Sequence, residues 1–479
     1  MMDLKHKPEY YHTTFFKWRQ RVGFGISDYA CNLAYLLTNT YLLFYYTNCA
    51  GIDPGPVGIM FVVTKFVDAI TDVLVGSWID HTDTKMGRYR PWMLFGAPVL
   101  AVGMILLFSV PVGWNSTPKL IWAYLTYIIF SFGYTLVNVP MVPIVSALSP
   151  EPVERTSIVT TKQLFASLGS LTSSLFVLPM VNFFAGGENA AGSELATGYR
   201  MTNVVLGVIV IILMIICVFN IEETNPPTVI KESQKSNFIK DVRSMFNRYY
   251  IMLIAYVFFF FFGYLGMMAS IQYYFTYIIG STSAMALAMS LMTLIPIPTM
   301  VLAAILNSKG IGKSRLIIFG GIIDLIALFL LLFSKSAPFA VGAMALYAFG
   351  SGFRVSLMFA MCPDIYDYTE YSTGKSLAGT QSAVVGFGSK LSSALASAIV
   401  SALLVWGSYN AAELDAVLSG GGTVQDIAAQ YPTAITAIKL AFVGLSIVTS
   451  VITVLILLPY DLDKKYPAIR AELNKRTAK

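Results

Sequence analysis

Long runs without a charged residue divide this chain. Residues 91–118 contain no Asp, Glu, Lys, Arg or His, and neither do 120–150 or 249–308. A helix that crosses a bilayer needs roughly 20 consecutive apolar residues. The run 249–308 therefore holds two helices, joined by a turn near Gly280-Ser281-Thr282. Read along the whole chain, the pattern predicts helices at 24–47, 56–79, 91–111, 119–147, 156–183, 201–220, 249–279, 284–306, 315–334, 338–362, 376–406 and 434–459. The expected fold is an all-α membrane protein with twelve transmembrane helices in two six-helix halves.

The polar segment 221–248, with Pro226-Pro227, separates the halves. The organisation expected is a first half over 1–220, a central loop over 221–248, a second half over 249–460 and a tail over 461–479. Loops 80–90 and 307–315 follow the second and eighth helices; both are short, basic and glycine-bearing, a sign of internal repetition. Lys and Arg concentrate on one side: Lys85, Arg88, Arg90, Arg155, Lys231, Lys235, Lys240, Arg243, Arg248, Lys309, Lys313, Arg315 and Lys375, against Lys119, Arg200 and Lys335. The rich side is read as cytoplasmic, with both termini on it. A plasma membrane, the inner membrane of a bacterium, is the expected location.

Composition agrees. The chain has 479 residues, of which 56% are hydrophobic and 12% charged. Its mean hydropathy is +0.67. Soluble domains carry about 25% charged residues, so the outer face here is solvated by lipid. The formal charge of +6 sits in short segments between apolar runs, which excludes a nucleic-acid surface. Cys31, Cys49, Cys217 and Cys362 show no metal-ligand spacing. His6, His12 and His81 lie outside the spans, and no nucleophile–base spacing is present. No enzyme and no cofactor are expected. The partners expected are a small molecule and the bilayer, with the protein acting as a monomer.

Ionisable residues inside spans are costly and usually functional. Here they are Asp28, Lys65, Asp68, Asp72, Lys162, Asp324, Arg354 and Lys390. Asp68 and Asp72 are four apart and share one helix face. They lie about 16 Å and about 10 Å from the end of their helix. Two such acids repel unless a proton or cation sits between them. The competing reading is a structural pair between Asp68 and Lys65, but two acids outnumber one base. Asp28 is either a headgroup-zone residue or a cavity residue. Lys390, about 21 Å into its helix, calls for an acidic partner. Asp324 and Arg354 lie at similar depth on a helical hairpin, so either they pair or Arg354 faces a cavity.

Several stretches carry a resemblance: Asp68-Ala-Ile-Thr-Asp72, Gly76-Ser-Trp-Ile-Asp80, Gly87-Arg-Tyr-Arg-Pro-Trp92 and Gly133-Tyr-Thr-Leu-Val-Asn-Val-Pro140. Gly25-Ile-Ser-Asp28, Tyr273-Tyr-Phe-Thr-Tyr277 and Asp364-Ile-Tyr-Asp-Tyr-Thr-Glu370 add to it. With these, the chain resembles the glycoside–pentoside–hexuronide:cation symporters of the major facilitator superfamily. The resemblance implies sugar symport with Na⁺ or H⁺ by alternating access. It implies a cation site of Asp68, Thr71, Asp72 and Thr135, with Lys390 aiding coupling; Lys65, three residues from Asp68, is expected to join it in coupling. It implies a sugar set of Asp28, Asn138, Lys162, Gln163, Gln272 and Arg354. It also implies a cytoplasmic latch of Asp80, Arg88 and Arg90 with Asp364, Asp367 and Glu370.

The departures bear on the sugar. Melibiose-type members have a second sugar-binding Asp where this chain has Asn138, a Trp where it has Val142, and an Arg where it has Gln163. Glycoside and glucuronide members have an Arg at the position of Lys162. One acid is lost and cations remain, so the expectation leans to an anionic sugar such as a hexuronide, glucuronide or sulfonated sugar. The alternatives are a neutral glycoside or pentoside, with Lys162 snorkelling to the surface, or a channel or other non-coupled membrane protein.

Overall fold

The computed structural model describes residues 13–111, 113–149, 151–187, 190, 192–224, 245–374 and 378–477. Most of the predicted central loop and the side chain of Asp80 lie outside the described residues. In the first half, α1 is Thr14–Phe44, α2 Pro54–Asp80, α3 Arg90–Leu107, α4 Ser116–Asn138, α5 Pro152–Ala185 and α6 Gly192–Asn220. In the second, α7 is Arg248–Tyr274, α8 Thr282–Ser308, α9 Lys313–Leu332, α10 Ala337–Thr373, α11 Ala378–Trp406 and α12 Pro432–Leu457. A last helix, α13, covers Leu462–Thr477.

Ten of these helices are long and apolar enough to cross a membrane. The two below that mark are α1 and α2, which carry Asp28, Lys65, Asp68 and Asp72. With them, the described helices are consistent with the twelve expected. Large apolar side chains face outward along the helices, among them Phe95 at 70%, Phe183 at 79% and Phe333 at 65% exposure. Water would penalise such a surface; hydrocarbon does not. This is a multi-pass membrane protein.

Local signals set the helix ends. Thr13 caps α1 by accepting from the Phe16 N–H, and Asn247 caps α7 by accepting from the Tyr250 N–H. Proline occupies the first turn of α2, α3 and α5, where its missing N–H costs nothing. Polar sequence hid other boundaries. α1 starts ten residues before the predicted Phe24, because its first turns run beside the ends of α5 and α6. There Arg21 pairs bidentately with Glu154 at 2.6 and 2.8 Å, and Lys17 meets Glu151 at 2.9 Å. α10 continues past the predicted Cys362 to Thr373, so Asp364, Asp367 and Glu370 are helical.

The chain divides into two compact units, Met1–Val229 and Ile230–Lys479. In the first, α1 packs on α5 and α6, α3 on α4 and α6, and α2 on α4. In the second, α7 packs on α11 and α12, α9 on α10 and α12, and α8 on α10. A shift of six helices maps one scheme onto the other, which is an internal repeat.

The second unit is pinned at both ends. Asp463 of α13 accepts from the Ser314 N–H at 2.8 Å and its hydroxyl at 2.6 Å, capping the first turn of α9. At the other end, a short helix Ala411–Ser419 lies between α11 and α12 and brings Asp415 to the Tyr277 hydroxyl, which donates to it at 2.7 Å. Burial raises the Asp415 carboxyl above its usual range. The folded state thus binds a proton more readily there than the unfolded chain does. This contribution to stability is present at low pH and is lost as pH rises through the shifted value. Asp415→Asn, which keeps an acceptor for Tyr277, is expected to raise the melting temperature near neutral pH and to leave it unchanged well below the carboxylate range. A lower melting temperature at neutral pH would refute this.

Candidate functional site

Two polar clusters lie among the helices of the first unit. The first is built on α2 and α4. Asp68 and Asp72 are one turn apart on α2, and Ser131 and Thr135 are one turn apart on α4. Because α2 packs on α4, the turns match. The Ser131 hydroxyl donates to Asp68 Oδ1, and the Thr135 hydroxyl donates to Asp72 Oδ1 at 2.9 Å. Lys65 Nζ stands 3.0 Å from Asp68 Oδ2 and 5.6 Å from the centroid of the Tyr127 ring. The Thr71 hydroxyl donates to the Asp68 carbonyl at 2.9 Å. Asp68 is 7% exposed, so its charge is balanced locally rather than by water.

The second cluster joins α1 to α5. Lys162 Nζ lies 3.7 Å from Asp28 Oδ1, with both side chains largely buried. Lys162 also sits 5.9 Å from the Phe24 ring centroid. Gln163, beside it, is exposed. Asn138 of α4 donates to the Tyr134 hydroxyl at 3.1 Å, and the Tyr134 ring lies 6.4 Å from that of Tyr35.

Sequence reasoning gave Asp68, Asp72 and Thr135 to one group, and the structure brings them together with Lys65. Ser131 was missed, although its spacing from Thr135 equals that of Asp68 from Asp72. Tyr127, Tyr134 and Tyr35 were missed because aromatic residues within spans usually read as packing.

Arg354 has its partners inside its own half. Arg354 is 2% exposed. It donates to Asp324 at 2.6 Å, to Thr453 at 2.7 Å, and to Ser450 and Tyr256 at 3.3 Å, with the Phe260 ring 4.8 Å away. The sugar set was therefore too wide: Arg354 belongs to a buried network of α7, α9, α10 and α12. Gln272 is buried in α7, and Lys390 is exposed on α11.

Of the predicted latch residues, Arg90, Asp364 and Asp367 have side-chain partners within their own unit. The Arg90 guanidinium donates twice to the Val218 carbonyl, at 2.6 and 3.0 Å. The backbone N–H groups of Arg88, Tyr89 and Arg90 donate to the Glu223 carboxylate at 2.8–3.1 Å. Gly87, at φ 106°, fits there because a Cβ would stand 2.5 Å from that carboxylate. Asp364 pairs with Lys313 at 2.6 Å. Asp367 accepts from Tyr466 at 2.7 Å and Arg470 at 2.8 Å, both on α13. Glu370 is partly buried on the last turns of α10.

The family model described as MFS/sugar transport protein matches residues 23–464. The chain belongs to this family. Within it, the glycoside–pentoside–hexuronide branch is the one its relatives support. The chain is 30% identical to the isoprimeverose transporter of Lactiplantibacillus pentosus, over 98% of this chain and 93% of that protein. It is 25% identical to the glucuronide carrier protein homolog of Escherichia coli (strain K12), over 96% of each. Its fold matches the crystal structure of a D-xylose–proton symporter with a TM-score of 0.59 at 13% identity, covering 92% of this chain and 97% of that one. The Asp68–Ser131 and Asp72–Thr135 rungs set paired acceptors on the facing helices α2 and α4.

Proposed function

We propose that the protein is a cation-coupled sugar symporter, with Asp68, Asp72, Thr71 and Thr135 forming the site for Na⁺ or H⁺. The observation that carries this is the pair of carboxylates on matched rungs of α2 and α4, each receiving a hydroxyl within the membrane. Two acids one turn apart bind a cation or proton because neutralisation relieves their repulsion.

The sugar reading rests on Asp28, Asn138, Lys162 and Gln163. Asp28 accepts from hydroxyls, and Asn138 and Gln163 both donate and accept. Asp28 and Lys162 together carry no net charge, which favours a neutral glycoside, in keeping with the relative named for isoprimeverose. The second reading is an anionic sugar. It is favoured by the 3.7 Å separation, too long for a hydrogen bond, so that an incoming anion can take Lys162 from Asp28. The relative named as a glucuronide carrier homolog fits it.

Purified protein should be screened for ligand stabilisation with isoprimeverose and with neutral and acidic monosaccharides and glycosides, with and without Na⁺ and across pH. A bound ligand raises the melting temperature. Saturable uptake that needs a cation gradient supports the symporter; passive ion current supports a channel. Lys162→Gln separates the two sugar readings. For an acidic sugar it should remove a charge-assisted contact of about 1.5–3 kcal/mol, tenfold to over a hundredfold in affinity, and spare the neutral analogue. Equal weakening of both sugars, or a wild-type preference for the neutral one, would leave the neutral glycoside.

A further inference from the structure

Lys119 is one of the few cations that the sequence puts on the side poor in Lys and Arg, and it belongs to neither polar cluster. It stands in the first turn of α4 and is 8% exposed. Its ammonium donates to the Ala50 carbonyl at 2.7 Å. Ala50 closes the turn in which α1 ends. That turn, Tyr45–Cys49, is π-helical: the Ala50 N–H reaches back five residues to the Tyr45 carbonyl at 2.9 Å. A π-turn holds one residue more than an α-turn, and such turns are frequent at functional sites. Gly51 follows at φ 64°, and α2 starts at Pro54.

The turn is a junction. Val110, just past α3, donates its N–H to the Tyr45 hydroxyl at 3.1 Å. The Tyr45 ring lies 5.0 Å from that of Phe108 and 5.7 Å from that of Tyr199 on α6. The second unit repeats the arrangement. There α7 ends in a π-turn, Phe275–Ile279, followed by Gly280 at φ 72°. The Tyr274 hydroxyl donates to the Leu331 carbonyl of α9 at 2.8 Å, and its ring lies 4.4 Å from that of Phe442 on α12. Asp415 holds Tyr277 of that turn. In each half, a charged residue from another element is fastened to the same turn of the first helix.

We propose that the π-turn is a hinge between α1 and α2, and that Lys119 is the positioning residue that keeps it shut. Its use in transport rests on the reading of Asp28 as a sugar residue and of Asp68 and Asp72 as the ion site. The hinge joins the two helices that carry them. A π-turn returns to α spacing when each N–H moves to the acceptor one residue nearer, with no net loss of backbone bonds. The residues beyond then turn by about 100° and shift by about 1.5 Å along the axis. Lys119 opposes this, because it holds the carbonyl of the residue that has to move. A cation suits that place, since the carbonyls at the end of a helix carry partial negative charge.

The test uses purified full-length protein and its native thiols. Cys49 lies in the turn and is 3% exposed; Cys217 lies in α6 and is 0% exposed. N-ethylmaleimide reaches either thiol only when its surroundings open, and mass spectrometry maps the sites. In wild type, Cys49 should react about tenfold faster than Cys217 or more, because local opening costs less than global unfolding. Lys119→Met should raise the Cys49 rate by about a further tenfold, a change of about 1.4 kcal/mol in the opening equilibrium, and leave Cys31, Cys217 and Cys362 as they were. Lys119→Gln, neutral and shorter, should match it and replaces it where Met impairs folding. Lys119→Arg, still a cationic donor, should stay near wild type. The response of the melting temperature to sodium or pH should not change, since Lys119 is about 18 Å along α4 from Ser131.

A Cys49 rate unchanged in the neutral variants overturns the clamp. So does a rise shared by all four thiols, which marks a brace of the whole half rather than a hinge. The Asp72→Asn variant tests the underlying reading separately. If it keeps the wild-type ion response, the ion site is wrong, while the thiol rates still decide the hinge.

Discussion

Asp72→Asn should abolish gradient-driven accumulation of sugar in proteoliposomes, bringing the internal-to-external ratio down to near one. Asp68→Asn should do the same. Sugar exchange at equal concentrations on both sides should survive better, because it does not draw on the ion gradient. The physical reason is that an amide cannot carry the charge that a cation or proton neutralises. The neighbours differ, and so should the severity. Asn at 72 keeps an acceptor for the Thr135 hydroxyl. Asn at 68 leaves Lys65 without its carboxylate and adds a structural cost. Normal concentrative uptake in both single variants would rule out the carboxylate pair as the coupling site.

The largest stability effect should come from the other half. Asp324 is fully buried and Arg354 nearly so. Asp324→Ala removes the one carboxylate partner that Arg354 has among the described residues and leaves a guanidinium in a membrane interior. Breaking a buried pair from one side costs about 3–5 kcal/mol. Membrane proteins share the marginal stability of soluble ones, so this should appear as a large drop in melting temperature and in folded yield. Asp324→Leu with Arg354→Met should recover much of the loss, because no charge is then stranded. Melting of the purified variants checks both, and a single variant that melts like wild type would show that water reaches the pair.

The spans were legible because the bilayer demands about 20 apolar residues in a row, and composition records that directly. The runs 91–118 and 249–308 show it most plainly. What stayed hidden was polar helix. The first turns of α1 and the last turns of α10 are rich in charge, and only their partners explain why they are helical: Glu151 and Glu154 for α1, Lys313 and α13 for α10. The carboxylate pair was readable from its spacing alone. Its serine was not, since a hydroxyl inside a span most often bonds back to its own helix.

Arg354 shows a different limit. Depth along a hairpin allowed pairing with Asp324 or a cavity position, and sequence could not choose. The choice is made by glycine. At the crossing of α9 and α10, a Cβ on Gly320 would come within 2.6 Å of the Gly350 carbonyl. Asp324 and Arg354 each follow one turn later. Such close approach of the two backbones leaves the side chains no option but to meet.

The cap on α9 has a consequence for synthesis. Ser314 and the Asp463 carboxylate that accepts from its N–H are 149 residues apart. At about 5–20 residues per second, the ribosome delivers that carboxylate roughly 7–30 s after it makes the turn that needs it. Until then the first N–H groups of α9 have no side-chain acceptor from α13. A chain cleaved before Leu462 would keep α9 through α12 and lack the carboxylate that caps this end of α9.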